Sequence, residues 1–392
     1  MIEELDIAVI GGGPAGLRAA EVAAEAGRKV TIFDGKPSVG RKFLVAGKGG
    51  LNLTHGEDFE KFVSRYSDDG MWEILLRDFS PDDLIKWCHG LGQETFEASS
   101  GRVYPKALKG APILRAWLAR LKDLGVEIRP RHLWSDLSFG NRLRFSNDVE
   151  VTAKVIVFAL GGGSWPKTGS DGGWLTKFEE MGIACAPLVA SNCGWECDWS
   201  PEILEIAEGM PIKNIVVKAG DKQIAGELLL TRYGLEGGAI YGLGRELRAM
   251  DEPILEIDLK PTFSEEQLVA KFAGGSEDLK ISAIRGWKLS PAAAELLFSE
   301  PVISVRALAG RAKSCCVRLK GPRPIAEAIS SAGGVSWNEF DENLMLRKFP
   351  GVFLCGEMID WDAPTGGYLM QGSFATGTRA GKAAAGFRSR PL

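Results

Sequence analysis

The sequence predicts an α/β fold, in which a parallel-sheet domain assembled from both ends of the chain is interrupted by an inserted β-rich domain bearing a helical portion. Three observations lead there. Residues 1 to 34 read as strand, helix, strand, the unit from which parallel sheets are built. From about Ala186 to Leu259 the pattern changes to short alternating segments such as Ile215 to Ala219 and Glu227 to Leu230, as in antiparallel strands with one buried face. Val352 to Cys355 then resumes a buried strand that leads into a final helix. The boundaries read as 1–185 and 322–392 for the discontinuous domain and 186–321 for the insertion, with helical patterning over about 264–312.

Each element has its basis in local pattern. Leu5 to Ile10 is an apolar run, Pro14 to Ala26 is alanine-rich with helical spacing, and Lys29 to Phe33 is the second strand. Gly40 to His55 is glycine-rich and without period, too long for a simple connection, and is therefore a candidate functional loop. Residues 71 to 92 and 108 to 125 read as helices, the second with Ile113, Leu114, Trp117, Leu118, Leu121 and Leu124 on one face. Val126 to Ile128 resumes a strand. Val155 to Leu160 is a continuous apolar run ending in Gly161, Gly162 and Gly163, as expected of a parallel strand covered on both faces. The closing helix reads as Ser373 to Phe387, and no internal repeat interrupts the chain.

Composition bounds the function. At 392 residues, 45% apolar and 25% charged, the chain matches globular averages, which excludes disordered, collagenous and disulfide-scaffold classes. A net charge of −4 excludes a surface that is positive throughout. Glycine, 49 of 392 residues, is well above the usual share of roughly 7% and implies many tight backbone turns. Seven cysteines, an odd count, fit reduced thiols. No apolar run approaches the roughly 20 residues that span a bilayer, and the first strand begins with no basic leader before it, so the expected location is cytoplasmic and no membrane partner is expected.

Gly11-x-Gly13-x-x-Gly16 lies between a strand and a helix, and Asp34 ends the next strand, which is the context a dinucleotide fingerprint requires. Gly11 permits the tight turn, Gly13 lets backbone approach a pyrophosphate, and Gly16 lets the helix pack closely on the strand. Pro14 and Ala15 open the helix whose N-terminus attracts phosphate, and Asp34, with Gly35 and Lys36 behind it, suits the adenosine ribose. The fingerprint alone does not choose between NAD and FAD. Arg41 and Lys42 bring cations toward a pyrophosphate. Near the other end, Gly356, Glu357 and Asp360 come after a buried strand, and Thr365, Gly366, Gly367, Tyr368 and Gln371 open the last helix, an arrangement that places a carboxylate on a ribityl chain and a helix N-terminus at an isoalloxazine ring. FAD is the expected cofactor, with Gly47, Lys48, Gly49 and Asn52 of the glycine-rich loop and Ala159, Leu160, Gly161 and Gly162 after the buried strand as further contacts.

The fingerprint, Gly40 to His55 (G-R-K-F-L-V-A-G-K-G-G-L-N-L-T-H), Ala159 to Gly172, Gly226 to Gly237 and Gly356 to Gln371 together resemble the aminoacetone-oxidase-like, bile-acid-operon-N-like group of FAD flavoproteins, almost end to end. The resemblance implies a two-dinucleotide-binding, glutathione-reductase-like FAD domain that holds FAD non-covalently. It also implies chemistry at flavin N5 on a substrate between that domain and the insertion. Activities suggested for relatives are amine oxidation, reduction of an unsaturated substrate, and dihydrouridine formation in ribosomal RNA. Relatives commonly read G-G-G-R-C-N-x-T-N where this chain has Gly50 and Leu51 in place of the Arg and Cys, and Arg232 replaces a histidine of the T-H-x-G-L-S-G-P pattern.

Proton transfer requires an acid or base, and Lys48, His55, Arg232 and Tyr233 are the candidates. No second complete glycine fingerprint occurs between Ala186 and Lys320, since Gly242-Leu243-Gly244 lacks the third glycine, so NAD(P)H is expected only as an external reductant without its own domain. Cys193 and Cys197 have no companion pair or nearby histidine, and no metal is expected. Trp165, Trp174, Trp195 and Trp199 could floor a planar substrate or fill a core. Between Gly101 and His132, Arg102, Lys106, Lys109, Arg115, Arg120, Lys122, Arg129 and Arg131 outnumber Asp123 and Glu127, so the stretch reads either as a dock for RNA or as a solvated face. A small molecule and ribosomal RNA are thus both open as substrates, and a non-catalytic FAD-binding redox sensor or scaffold is the other class.

Overall fold

A computed structural model describes residues 2–46, 49–67, 70–272, 278–302 and 304–388. They form two compact units, Met1–Val189 with Ser330–Leu392, and Ala190–Ile329.

The first unit is built on a seven-stranded sheet. At its centre β1 (Glu3–Ile10) lies parallel to β2 (Val30–Asp34) on one side and to the strand Glu150–Phe158 on the other, with Ile10 opposite both Phe33 and Phe158. Glu127–Pro130 extends the sheet beyond β2 in parallel. Glu150–Phe158 divides its far edge: its last residues pair in parallel with Val352–Leu354, and its first residues pair antiparallel with Arg142–Phe145. Ile7 to Ile10 are wholly buried, covered on both faces, which is why this part of β1 is apolar without alternation.

Two helices meet on one face through glycine. A Cβ at Gly377 would stand 2.5 Å from the Ala15 carbonyl oxygen, and one at Gly381 would stand 2.6 Å from that of Ala19. Backbone of the closing helix (Tyr368–Gly386) therefore touches backbone of α1 (Pro14–Glu25). On α1 sits a fully buried carboxylate, Glu21, which accepts from the Trp87 and Trp117 indoles, from Arg18 at 2.9 Å and from Arg120 at 3.0 Å. Both oxygens are satisfied, and both arginines have their counter-charge.

The second unit holds another seven-stranded sheet, in the order Cys315–Arg318, Ile254–Asp258, Pro211–Ala219, Lys222–Thr231, Gly234–Glu236, Trp195–Glu196, Gly321–Pro322, with every neighbour antiparallel. The helices Leu279–Trp287, Pro291–Leu297 and Val305–Lys313 add Trp287, Leu297 and Leu308 to its core.

Several elements differ from the sequence reading. The stretch from Gly40 to His55 contains a helix, α2 (Arg41–Ala46), and a short strand, Thr54–His55. The helix read over 71 to 92 is two, Met71–Asp78 and Pro81–Gly90, because Ser80 and Asp83 form a reciprocal capping box with Pro81 at the first turn. The units divide at 189/190 and 329/330, since Gly321–Pro322 pairs with Trp195–Glu196 and the Ile329 N–H bonds to Asn192, tying residues 322–329 to the insertion. The last helix begins at Tyr368, five residues earlier than expected.

Glu21→Gln keeps the volume but leaves Arg18 and Arg120 without a buried counter-charge. Urea unfolding should show a loss of about 3–5 kcal/mol with an unchanged m-value.

Candidate functional site

The C-terminal ends of β1, β2 and Glu150–Phe158 converge on one cleft, the position at which open α/β sheets take ligands. Gly11 leaves β1 at φ +109°, and a Cβ there would lie 2.2 Å from the Ala159 carbonyl oxygen, so no other residue fits. Gly16 is equally constrained, 2.0 Å from the Gly11 oxygen. Gly13 is not constrained: a Cβ on it meets nothing within 4 Å. The N-terminus of α1 thus faces open space, with Gly13 as N-cap, no side-chain cap and Pro14 at its first turn, and its free N–H groups and dipole suit an anion.

A cavity of about 180 Å3 runs along this turn, over ten times the roughly 10–15 Å3 a single water needs. Gly11 to Ala15, Asp34 to Lys36, Arg41, Lys42, Ala159 to Gly161, Gly356 and Glu357 line it. At one end Asp34 accepts the Gly12 N–H at 2.9 Å and the Lys36 N–H at 2.8 Å. Burial raises its pKa, opposed by those two donors and by Arg41 and Lys36. The buried Nε of Arg41 has no acceptor among the described residues, although an ionised donor is costly to leave without one. Lys42 donates to Ser164 Oγ at 3.1 Å and to Glu357 Oε2 at 3.2 Å, which fixes the carboxylate in the turn after Val352–Leu354.

Outside the cavity lining lies the closing turn, Thr365 to Tyr368, where Gly366 and Gly367 have φ of +124° and +101°. Gly367 abuts the Thr54 backbone, where a Cβ would come within 2.6 Å. His55 stacks on Tyr368 with centroids 5.6 Å apart, and its Nδ1 accepts the Glu57 N–H at 3.1 Å, so a neutral ring carries its proton on Nε2. The Tyr368 hydroxyl donates to Glu57 Oε1 at 2.5 Å, and Arg65 grips the same carboxylate with two bonds at 2.9 and 2.7 Å. Burial alone would raise the Glu57 pKa, but the Arg65 and Tyr368 hydrogen bonds outweigh it and hold it at about 2. Burial, then the bond to Glu57, pushes Tyr368 up.

Other expected site residues lie elsewhere. Gly47 and Lys48 are outside the described residues. Gly49 has open space beside it, and the buried Asn52 Oδ1 has no donor among the described residues. Gly162 is tight against Ser331, where a Cβ would fall 1.9 Å from its Oγ. Asp360 sits beyond the lining with its pKa raised by burial. The buried Gln371 amide is committed to Thr54 Oγ1 at 2.9 Å and to the Phe79 carbonyl at 2.7 Å. Arg232 and Tyr233 belong to the second unit, in the turn between Lys222–Thr231 and Gly234–Glu236. Arg232 is exposed and paired with Glu208, while Tyr233 donates to Glu236 beneath the Arg323 guanidinium. Trp174 is buried and donates to the Gly161 carbonyl, and Cys193 and Cys197 are buried thiols.

The sequence reading missed His132, Leu133 and Trp134, which line the cavity beside Asp34. Their signal was topological: Glu127–Pro130 is the parallel neighbour of β2, so residues 131 to 134 emerge next to Asp34 and Gly35 at the same end of the sheet. Of the basic stretch, Lys106 pairs with Glu94, Arg120 with Glu21, and Arg129 with Glu3 and Glu127. No helix among the described residues is long and apolar enough to cross a membrane.

A family model described as the HI0933-like protein Rossmann domain matches residues 5–383. The chain belongs to this FAD-binding Rossmann family. It is 25% identical to a 3-dehydro-bile acid delta(4,6)-reductase of Clostridium scindens over 97% of this chain and 98% of that one. It is 24% identical to a ribosomal RNA dihydrouridine synthase of Haemophilus influenzae over 94% and 95% of the two chains. In fold it resembles the 3-ketosteroid-delta4-(5alpha)-dehydrogenase of Rhodococcus jostii RHA1, with a TM-score of 0.55 at 15% identity over 98% of this chain and 97% of that one.

Because the Glu57 pKa lies below its unfolded value of roughly 4.3, the stability this carboxylate contributes is present above about pH 4.5 and is lost as pH falls through about 2. Glu57→Gln should therefore lower Tm at pH 7 and flatten the fall in stability between about pH 4.5 and 2, as read by thermal melts across that range.

Proposed function

We propose that the chain is an FAD-dependent oxidoreductase that reduces a conjugated carbon–carbon double bond in a small molecule. The observation that carries the reading is the pairing, on one cavity, of an α1 N-terminus without a side-chain cap and an Arg41 Nε without an acceptor among the described residues, a donor set suited to a pyrophosphate. Asp34 would accept the adenosine ribose hydroxyls, Leu133 and His132 would flank the adenine, and Glu357, held by Lys42, would accept from the ribityl chain. Bound FAD supplies a two-electron hydride donor or acceptor at N5. Relatives named for a delta(4,6)-reductase and for dihydrouridine formation support the unsaturated substrate.

The accompanying proton falls to His55. Leu51, standing where relatives commonly keep a cysteine, is 1% exposed and chemically inert. The Tyr368 hydroxyl is committed to Glu57 and its pKa is raised. His55 keeps its Nε2 proton, on a ring oriented by the Glu57 N–H and by stacking on Tyr368. NAD(P)H acts as an external reductant, and turnover with it separates an enzyme from a sensor or scaffold.

Ribosomal RNA is the second reading, favoured by the exposed Lys109, Arg115 and Lys122 and by the synthase relatives. Its signature is salt dependence, a slope of about −0.7 per phosphate neutralised on a single strand. Reversing the charge of Arg115 and Lys122 should cost RNA affinity with the flavin spectrum intact, whereas a small-molecule enzyme shows neither effect.

The purified protein should be yellow and release FAD, not FMN, on denaturation. Asp34→Ala should weaken FAD binding by about 1–3 kcal/mol, measured by reconstitution of the apoprotein. A colourless protein that FAD does not reconstitute overturns the reading.

A further inference from the structure

The small antiparallel sheet of the first unit, Thr54–His55, Arg102–Pro105 and Thr95–Glu97, has two unlike faces. Its register sets Thr54 opposite Val103, both buried, and sets His55 opposite Arg102 and Phe96 opposite Tyr104. Side chains alternate along strands and directly opposed residues share a face, so His55, Arg102, Tyr104 and Phe96 form one row on the outer side. All four are at least partly accessible, and Phe96 is 40% exposed. Phe96 and Tyr104 stack at 5.9 Å with planes 28° apart. Gly50, at φ +108°, places no side chain over the Tyr104 ring, although a Cβ there would be only 3.6 Å from it.

At the other end of the row, Arg102 Nε is 3.9 Å from the Cβ position of Gly366, in the closing turn, and His55 stacks on Tyr368. Arg102 has no carboxylate partner among the described residues, while Lys106 and Arg65 are paired with Glu94 and Glu57. An open aromatic pair, one unpaired guanidinium and an imidazole thus stand in line and lead to the closing turn, where the FAD reading puts the isoalloxazine ring.

We propose that this outer face is a substrate shelf, on which a planar conjugated small molecule stacks against Phe96 and Tyr104 while Arg102 binds its single anionic group. The shelf rests on the FAD reading only for what lies at its end. Arg102 is the single guanidinium on this row, which matches one anion and not a run of phosphates. Stacking supplies affinity without regard to charge, and Arg102 supplies discrimination, so the two contributions separate by mutation.

The probes are trans-cinnamate and its neutral isostere cinnamamide, titrated into the holoprotein by calorimetry, with flavin absorbance recorded in parallel and uridine monophosphate as a nucleotide control. Cinnamate should bind at least about tenfold tighter than the amide and perturb the flavin spectrum. Arg102→Gln should abolish that preference, leaving amide binding unchanged, and Phe96→Ala and Tyr104→Ala should weaken both probes alike, by about tenfold. Wild-type preference retained in Arg102→Gln, failure of cinnamate to bind, or tighter binding of uridine monophosphate than cinnamate overturns the shelf. FAD content and dithionite reduction are measured on the same samples. A protein with no flavin but intact Arg102-dependent cinnamate binding defeats the FAD reading and leaves the shelf standing. A reducible flavin with Arg102-independent binding does the reverse.

Discussion

The architecture depends on how closely α1 approaches its neighbours. The turn that leads into it is pressed against backbone just after Glu150–Phe158, where Gly11 meets the Ala159 carbonyl; its first turn is pressed on that turn, where Gly16 meets the Gly11 carbonyl; and its flank is pressed against the last helix at Gly377 and Gly381. Each contact is backbone on backbone, at distances where a single methyl group does not fit. Dispersion favours such contact, but the larger effect is geometric: α1 has no room to slide or tilt. Its N-terminal N–H groups are therefore aimed at one place, and residues from 11 to 377 share the work of aiming them. Glu21 fixes the other end of the same helix, drawing Trp87, Trp117 and Arg120 onto it.

Such close packing determines which parts were legible in the sequence. The βαβ unit and the strand Glu150–Phe158 are buried on both faces, so their composition states their structure directly, and the three glycines and Asp34 are local chemistry at fixed spacing. The helix α2 was hidden because six residues between glycine-rich segments show less than two turns of periodicity. The break at Ser80 was visible in principle as Ser-Pro-Asp-Asp but was overridden by the apolar spacing on either side. His132 to Trp134 owe their place in the cavity entirely to strand order, which no local pattern encodes.

Charge is the property the linear sequence represents worst. Counted along the chain, Gly101 to His132 carries a marked positive excess, yet the carboxylates that answer it come from distant positions: Glu21 reaches Arg120, and Glu3 reaches Arg129. Arg120 is better described as part of the core of α1 than as part of a surface. A polyanion approaching this region would meet fewer free cations than the composition implies, and its encounter rate would be correspondingly less sensitive to salt.

Cations left unpaired in such a region carry more weight. Of the five arginines in this stretch, Arg120 and Arg129 have found a carboxylate; Arg102 is set apart by position, on the outer row of a sheet whose other face buries Thr54 and Val103, and next to a glycine turn that admits no side chain of its own. Leaving a guanidinium accessible costs little, since water solvates it. Glu57 holds Arg65, Glu94 holds Lys106, and Glu97, opposite Val103, lies on the other face of the sheet, so no carboxylate pairs with Arg102 among the described residues. On the proposed reading, the fold fixes where a dinucleotide lies, and a few accessible side chains on one short sheet decide what is brought to it.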